Sequence, residues 1–204
     1  VLIVLQPEHR RVLEFMGRRK IIYGIGQGDK EKSKKIVSGR TNAIERFSSD
    51  KTGALIVFER QTMLEDYAET GTVLNADVTD ILIANLFYEG APLHDGAVII
   101  SGFNIYAAGC VLPLTKNPDI SKDLGMRHRA GIGVTENSDA LVIIVSEETG
   151  IISMAEDGRL ERFLDVKTIE KRLLDLYLKD RIVNVNVGRK RKAKGTDKKE
   201  GPDA

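Results

Sequence analysis

Leu93-His94-Asp95-Gly96-Ala97-Val98-Ile99-Ile100 decides how this chain of 204 residues is read. Two ionisable side chains and two of the smallest residues stand directly before an apolar run with strand character. Gly96 and Ala97 leave room for a ligand to approach the backbone, while His94 and Asp95 can hold a metal or move a proton. Adjacent residues cannot share one flat strand face, so His94 and Asp95 divide these tasks between them. A capping Asp beside a hydrogen-bonded His at a strand start accounts for the same letters.

On the N-terminal side, Asp77-Val78-Thr79-Asp80 offers helix caps ahead of Ile81 to Phe87, a buried helix stopped by Gly90 and Pro92. Before it, Gly53 to Glu59 is a nearly continuous apolar run, as in a strand covered on both faces, and Met63 to Tyr67 is a helical turn ending near Gly71. Further back, Ile36 to Phe47 is a moderately amphipathic helix, and Gly24 to Lys35 reads as a loop. On the C-terminal side, Gly102-Phe103-Asn104 turns the chain into a second strand, Ile105 to Leu114, making a hairpin. A polar loop, Thr115 to Leu124, leads to Arg127-His128-Arg129, which opens a short helix across Ala130 to Thr135. Ala140 to Ser146 is a third buried strand. Asp157-Gly158 is the strongest short hairpin signal and joins Ile151–Ala155 to Arg159–Phe163. Leu164 to Leu178 is a closing amphipathic helix. Hairpins with interspersed helices predict an α/β fold, a mixed β-sheet core with helices packed around it in a single domain.

Composition bounds the class. Hydrophobic residues make up 42% and charged residues 30%, as in ordinary globular proteins. The single cysteine, Cys110, lies in an apolar run and reads as a small core side chain in a reducing, cytosolic setting. The net charge of +1 is unevenly spread: residues 188–204 hold seven Lys/Arg against three Asp/Glu, and the rest of the chain holds 24 against 27. A basic nucleic-acid-binding body is therefore not expected, and no nucleic-acid partner is predicted.

Both ends read differently from the middle. Val1-Leu2-Ile3-Val4-Leu5 followed by Arg10, Arg11, Arg18, Arg19 and Lys20 has the pattern of a membrane helix leaving on the positive-inside side; a core strand or helix start explains the run equally well. Gln6 to Arg19 reads as a helix. Residues 186–204 lack apolar periodicity and read as a basic, disordered tail. The division is thus 1–22, a single domain at 23–185, and a tail at 186–204.

Two further clusters carry chemistry. Arg127-His128-Arg129 at a helix start combines free backbone N–H groups with two permanent cations, which oppose the helix dipole unless an anion compensates; a solvated surface triplet is the alternative. Ser146-Glu147-Glu148-Thr149-Gly150 ends a buried strand, where α/β folds place ligand contacts, or else simply solvates a turn. Walker-type phosphate loops, Gly-x-Gly-x-x-Gly ahead of a helix, His-Glu-x-x-His and paired Cys-x-x-Cys spacings are absent. Gly24-Ile25-Gly26-Gln27-Gly28 has no buried strand before it and does not qualify.

His94-Asp95-Gly96-Ala97, Arg127-His128-Arg129 and Ser146-Glu147-Glu148-Thr149-Gly150, in this order and spacing, resemble the diadenylate cyclases, which condense two ATP into cyclic di-AMP. The likeness covers roughly residues 36–164. Val4 to Arg11 resembles the exit from the third membrane helix of the membrane-anchored class and favours the membrane reading of residues 1–22.

The resemblance implies roles residue by residue. Asp95 engages and activates the ribose 3′-hydroxyl, Gly96 and Ala97 let the nucleotide lie against the backbone, and His94 contacts a divalent ion, Mn or Mg. Arg127, His128 and Arg129 hold the triphosphate, while Ser146 and Glu148 line the nucleotide pocket and Leu112 lies near the base. Met126 departs from the Thr common before Arg-His-Arg and is left out of the site. One copy of each motif per chain implies catalysis by a face-to-face homodimer. The family also implies a location at the cytoplasmic face of the membrane, a membrane-bound regulator and phosphoglucosamine mutase as partners. A non-catalytic adenine-nucleotide sensor on the same fold is the alternative, though a sensor has no need of a carboxylate on the 3′-hydroxyl.

Overall fold

The computed structural model describes residues 27–177 apart from Lys122. The expected juxtamembrane helix within 1–22 and the tail at 186–204 lie outside the described residues. Among the described residues, seven strands form one sheet. They are β1 (Ala54–Glu59), β2 (Thr72–Asp77), β3 (Ala97–Ser101), β4 (Asn104–Cys110), β5 (Leu141–Val145), β6 (Ile152–Glu156) and β7 (Arg159–Arg162). Their order is β2-β4-β3-β1-β5-β6-β7. Only β1 and β3 run parallel; every other neighbouring pair is antiparallel. The fold is therefore the expected mixed sheet with helices around it, in a single domain.

Among the described residues five helices cover the sheet: α1 (Gln27–Asp50), α2 (Glu65–Ala68), α3 (Asp80–Leu86), α4 (Met126–Glu136) and α5 (166–177). The strands alternate between two cores, as period-two side chains must. Ile56, Phe58, Val98, Ile100, Ile143 and Val145 face α1, α3 and α5, where Ile44, Phe47, Ile83, Leu86, Ile169 and Leu173 meet them. Leu55, Val57, Ala97, Ile99, Val142 and Ile144 face the other way, toward Leu64 at the cap of α2 and Ala68 within it, and toward Ala130, Ile132 and Val134 of α4. Removing each such Val, Leu or Ile from water contributes about 1.5–3 kcal/mol, so the central strands β3-β1-β5, buried on both faces, contribute much of the fold's stability. Arg40 of α1 lies buried over the rings of Phe58 and Tyr177, which ties α1 to β1 and α5.

Local chemistry explains most boundaries. The Thr79 hydroxyl accepts from Leu82 N at 3.1 Å and caps α3. Asp157 (φ 50°) and Gly158 (φ 72°) make the two-residue turn between β6 and β7. At Gly133 a Cβ would lie 2.1 Å from the Pro113 carbonyl oxygen, so only glycine lets α4 seat this closely on the 113–115 segment.

Four expectations are corrected. The segment Gly24 to Lys35 is not all loop, because α1 begins at Gln27. Its lysines and Glu31 are good helix formers that lack an apolar stripe to betray them. Strand β2 was not foreseen: it is a mostly exposed edge strand, interrupted by a register shift between Val73 and Ala76 and by Asn75 at φ 49°. The second hairpin strand ends at Cys110 and not at Leu114. Finally, α3 buries only Ile83 and Leu86, and its Ile81 is exposed. Cys110 is a buried core side chain, and burial raises its thiol to about 11. No helix among the described residues is long and apolar enough to cross a membrane.

Candidate active site

The sheet topology brings the separated motifs to one end. Strands β1 and β3 are parallel with Ile56 opposite Val98, so the residues entering them, Gly53 and Asp95-Gly96, share that end. Strand β5 runs the other way with Ala54 opposite Val145, which puts Ser146 next to Gly53. Strand β4 places Cys110 opposite Ala97, so the chain passes through Val111 and Leu112 at the same edge. Across β4-β3-β1-β5 this end spans three inter-strand steps, about 14 Å. The N-terminus of α4 reaches it too, because Arg127 forms an ion pair with Glu147 just past β5.

Asp95 is free of tertiary packing, with 86% of its side chain exposed, and His94 is partly buried beside it. The His94 Nδ1 lies 2.6 Å from the Ala91 carbonyl oxygen. A carbonyl can only accept, so this nitrogen carries a proton, and in the neutral ring Nε2 presents a lone pair. Nε2 is 3.6 Å from Asp95 Oδ1. Gly96 has φ +107°, and a Cβ there would stand 2.7 Å from the Gly109 carbonyl carbon and 2.8 Å from the Cys110 oxygen. The backbone beside Asp95 is therefore packed flat against β4, and Ala97 begins the buried strand. Leu112 is buried at the same edge.

Around α4 the three consecutive residues part company. A helix turns about 100° per residue, so residues one or two apart do not share a face. Arg127 points to Glu147 across Gly53. Arg129 donates from Nε to the Leu124 carbonyl at 3.2 Å, in the loop before the helix. His128 is only 6% exposed and faces inward, its Nε2 3.4 Å from the Ser153 hydroxyl of β6. Burial, and secondarily the Arg162 guanidinium, lower its pKa and hold it neutral. His128 thus turns to the core side of α4, whereas Arg127 and Arg129 lie at its start. Met126, the first residue of α4, is exposed. The helix start has Gly125 at its cap, no side-chain cap and no acid in its first turn, so no side-chain oxygen caps its first N–H groups.

Ser146 is half-buried and closes its own turn, with its carbonyl accepting from Gly150 N at 2.8 Å and its hydroxyl from Thr149 N at 3.3 Å. Glu148 is exposed. Two residues of this end were not singled out from the sequence: Gly53, read only as a strand start, and Glu147, read only as one of two adjacent acids. A glycine opening a fully buried strand was the available signal for the first. Neither residue's partner is visible without the fold. Among the described residues no group of three or more His, Cys, Asp or Glu side chains is arranged to hold a metal by itself.

The family model described as DisA bacterial checkpoint controller nucleotide-binding (DAC) matches residues 41–160. The chain is 45% identical over 173 residues to the cyclic di-AMP synthase CdaA of Bacillus subtilis, covering 85% of this chain and 63% of that protein. It is 41% identical over 174 residues to a diadenylate cyclase of Listeria monocytogenes, covering 85% and 64%. It thus spans a little under two thirds of the length of these relatives. In structure it resembles crystalline DacA from Staphylococcus aureus, with a TM-score of 0.71 at 43% identity over 72% of this chain and 98% of that one. It also resembles a hypothetical membrane spanning protein from Bacillus cereus, with a TM-score of 0.61 at 49% identity over 63% of each chain.

Proposed function

Because the chain belongs to the diadenylate cyclase domain family, we propose that it condenses two ATP into cyclic di-AMP, releasing two pyrophosphates. The observation that carries this reading is the meeting, at one sheet end, of the exposed Asp95 carboxylate, the glycine-flattened backbone after it, and the cationic start of α4. An extended nucleotide fits along such an edge, with its ribose near Asp95, its triphosphate toward Arg127 and Arg129, and its base near Leu112. Ser146 and Glu148 line the far side, while Gly96 and Ala97 leave the backbone accessible.

The chemistry is nucleotidyl transfer performed twice. Asp95 accepts the proton of a ribose 3′-hydroxyl as that oxygen bonds to the α-phosphorus of the other ATP. The bond from that phosphorus to the oxygen bridging to the β-phosphate breaks, and pyrophosphate leaves. The arginines and the N–H groups of α4 stabilise the charge that develops. Each chain has one Asp95 and one α4, so both transfers require two copies face to face with antiparallel nucleotides.

A divalent ion, Mn²⁺ or Mg²⁺, fits the donor set: the lone pair of His94 Nε2 and the Asp95 carboxylate stand 3.6 Å apart without a hydrogen bond between them. Two protein donors leave most of the shell to phosphate oxygens and water. When bound, the ion supplies charge neutralisation at the phosphates.

Membrane attachment, a location at the cytoplasmic face, a membrane-bound regulator and phosphoglucosamine mutase as partners belong to the same proposal. The apolar-then-basic pattern of residues 1–22 supports the attachment, as does the likeness to a protein described as membrane spanning. The test is incubation with ATP and Mn²⁺ or Mg²⁺ over a range of protein concentration. Cyclic di-AMP should form with a specific activity that rises with concentration. ATP binding without product at high concentration would identify a sensor.

A further inference from the structure

Position 53 shows what the start of the sheet leaves open. A Cβ on Gly53 would lie 2.7 Å from Arg127 Nη1, 2.8 Å from its Cζ and 2.8 Å from Glu147 Oε2. The space that any other side chain would take is therefore filled by the Arg127–Glu147 ion pair, lying across the glycine backbone. Glu147 is itself held on a closed turn. The Ser146 carbonyl accepts from Gly150 N, Ser146 N donates to the Ile151 carbonyl at 3.1 Å, and the Ser48 hydroxyl of α1 donates to the Gly150 carbonyl at 2.7 Å.

A half-exposed ion pair contributes little to folding, so stability is not its use. A cation in the first turn of a helix also opposes the helix dipole. What the pair does achieve is direction: Glu147 engages Nη1 and leaves the other donors of the guanidinium fork for a second anion. We propose that Glu147 is a positioning residue that aims Arg127 at the nucleotide phosphates, and that Gly53 supplies the clearance the pair needs. The proposal rests on the reading that Arg127 meets the triphosphate. It adds that the aim is set before nucleotide arrives, so less side-chain freedom is lost on binding.

The test compares Glu147→Ala, Glu147→Gln and Gly53→Ala, each alone and with Arg127→Ala, by ATP affinity from calorimetry, by kcat and KM, and by Tm. Gly53 has an ordinary φ, and the three atoms nearest its added methyl all belong to flexible side chains, so the fold survives the change. Glu147→Ala and Gly53→Ala should each weaken ATP on the order of tenfold, the scale on which supporting partners act at other sites. Tm should stay unchanged, and the loss should appear in KM more than in kcat. Glu147→Gln, which keeps an acceptor in place, should recover most of the affinity. With Arg127→Ala present, neither substitution should weaken ATP further. Unchanged affinity in the single variants, or a full additional loss in the Arg127→Ala background, overturns the proposal. Wild-type protein that binds ATP without making cyclic di-AMP would sink the cyclase reading, while these affinity comparisons would still decide the role of Glu147.

Discussion

His94 Nε2 lies 3.6 Å from Asp95 Oδ1, and the other ring nitrogen is committed to the Ala91 carbonyl. Two electron-rich atoms face one another with no proton between them when the ring is neutral, an arrangement that a cation would relieve. Replacing His94 with Ala should move the Mn²⁺ midpoint for turnover upward on the order of tenfold, with the same shift in Mn²⁺ binding to the ATP-loaded protein. An unmoved midpoint would remove His94 from the metal site.

Asp95→Asn separates binding from chemistry. The side chain is exposed, with its neighbour His94 beside its carboxylate, so Tm should not change. The amide keeps the shape but cannot take the proton. Turnover should fall by about 10² to 10⁴-fold, with ATP affinity close to that of the wild type. Equal loss of both would show that Asp95 serves binding instead.

Gly96→Ala asks whether the backbone at the site is strained by design. A methyl at φ +107° meets the Gly109 and Cys110 backbone, neither of which can swing aside. The expected cost is about 2–4 kcal/mol, read as a lowered midpoint in urea. Wild-type stability in this variant would mean that β3 and β4 can part without penalty.

His128 should make the protein sensitive to acid. Its pKa is lowered in the folded state, by burial first and by Arg162 second, so below the ordinary value near 6.5 the unfolded chain binds more protons than the folded one. Stability is then full above that value and declines as pH falls through and below it. His128→Asn should flatten this part of a Tm profile between pH 7 and 5. An identical acid slope in the variant would assign the loss to other groups.

The elements with strong local signals were legible without a structure. The buried runs at β1, β3 and β5 are nearly continuous apolar residues, and Asp157-Gly158 and Thr79 announce a turn and a cap with specific backbone chemistry. Strand β2 was not legible, because an exposed edge strand with a bulge shows neither alternation nor an apolar run. The early part of α1 was hidden for a similar reason. A polar helix has no stripe.

At the site, sequence by itself determined the chemical inventory: a carboxylate and an imidazole before a small-residue strand start, arginines at a helix opening, and acids after a buried strand. Those choices are local, made by residue type and by neighbours a few positions away. Only the tertiary structure decided which of them meet. The parallel pairing of β1 with β3 and the antiparallel pairing with β5 carry Gly53, Asp95 and Ser146 to one end of the sheet. The pitch of α4 sends Arg127 to Glu147 and His128 into the core, although the two are adjacent in the chain. Strand register and helical rotation are set by which faces can be buried together, and that depends on residues far apart in sequence.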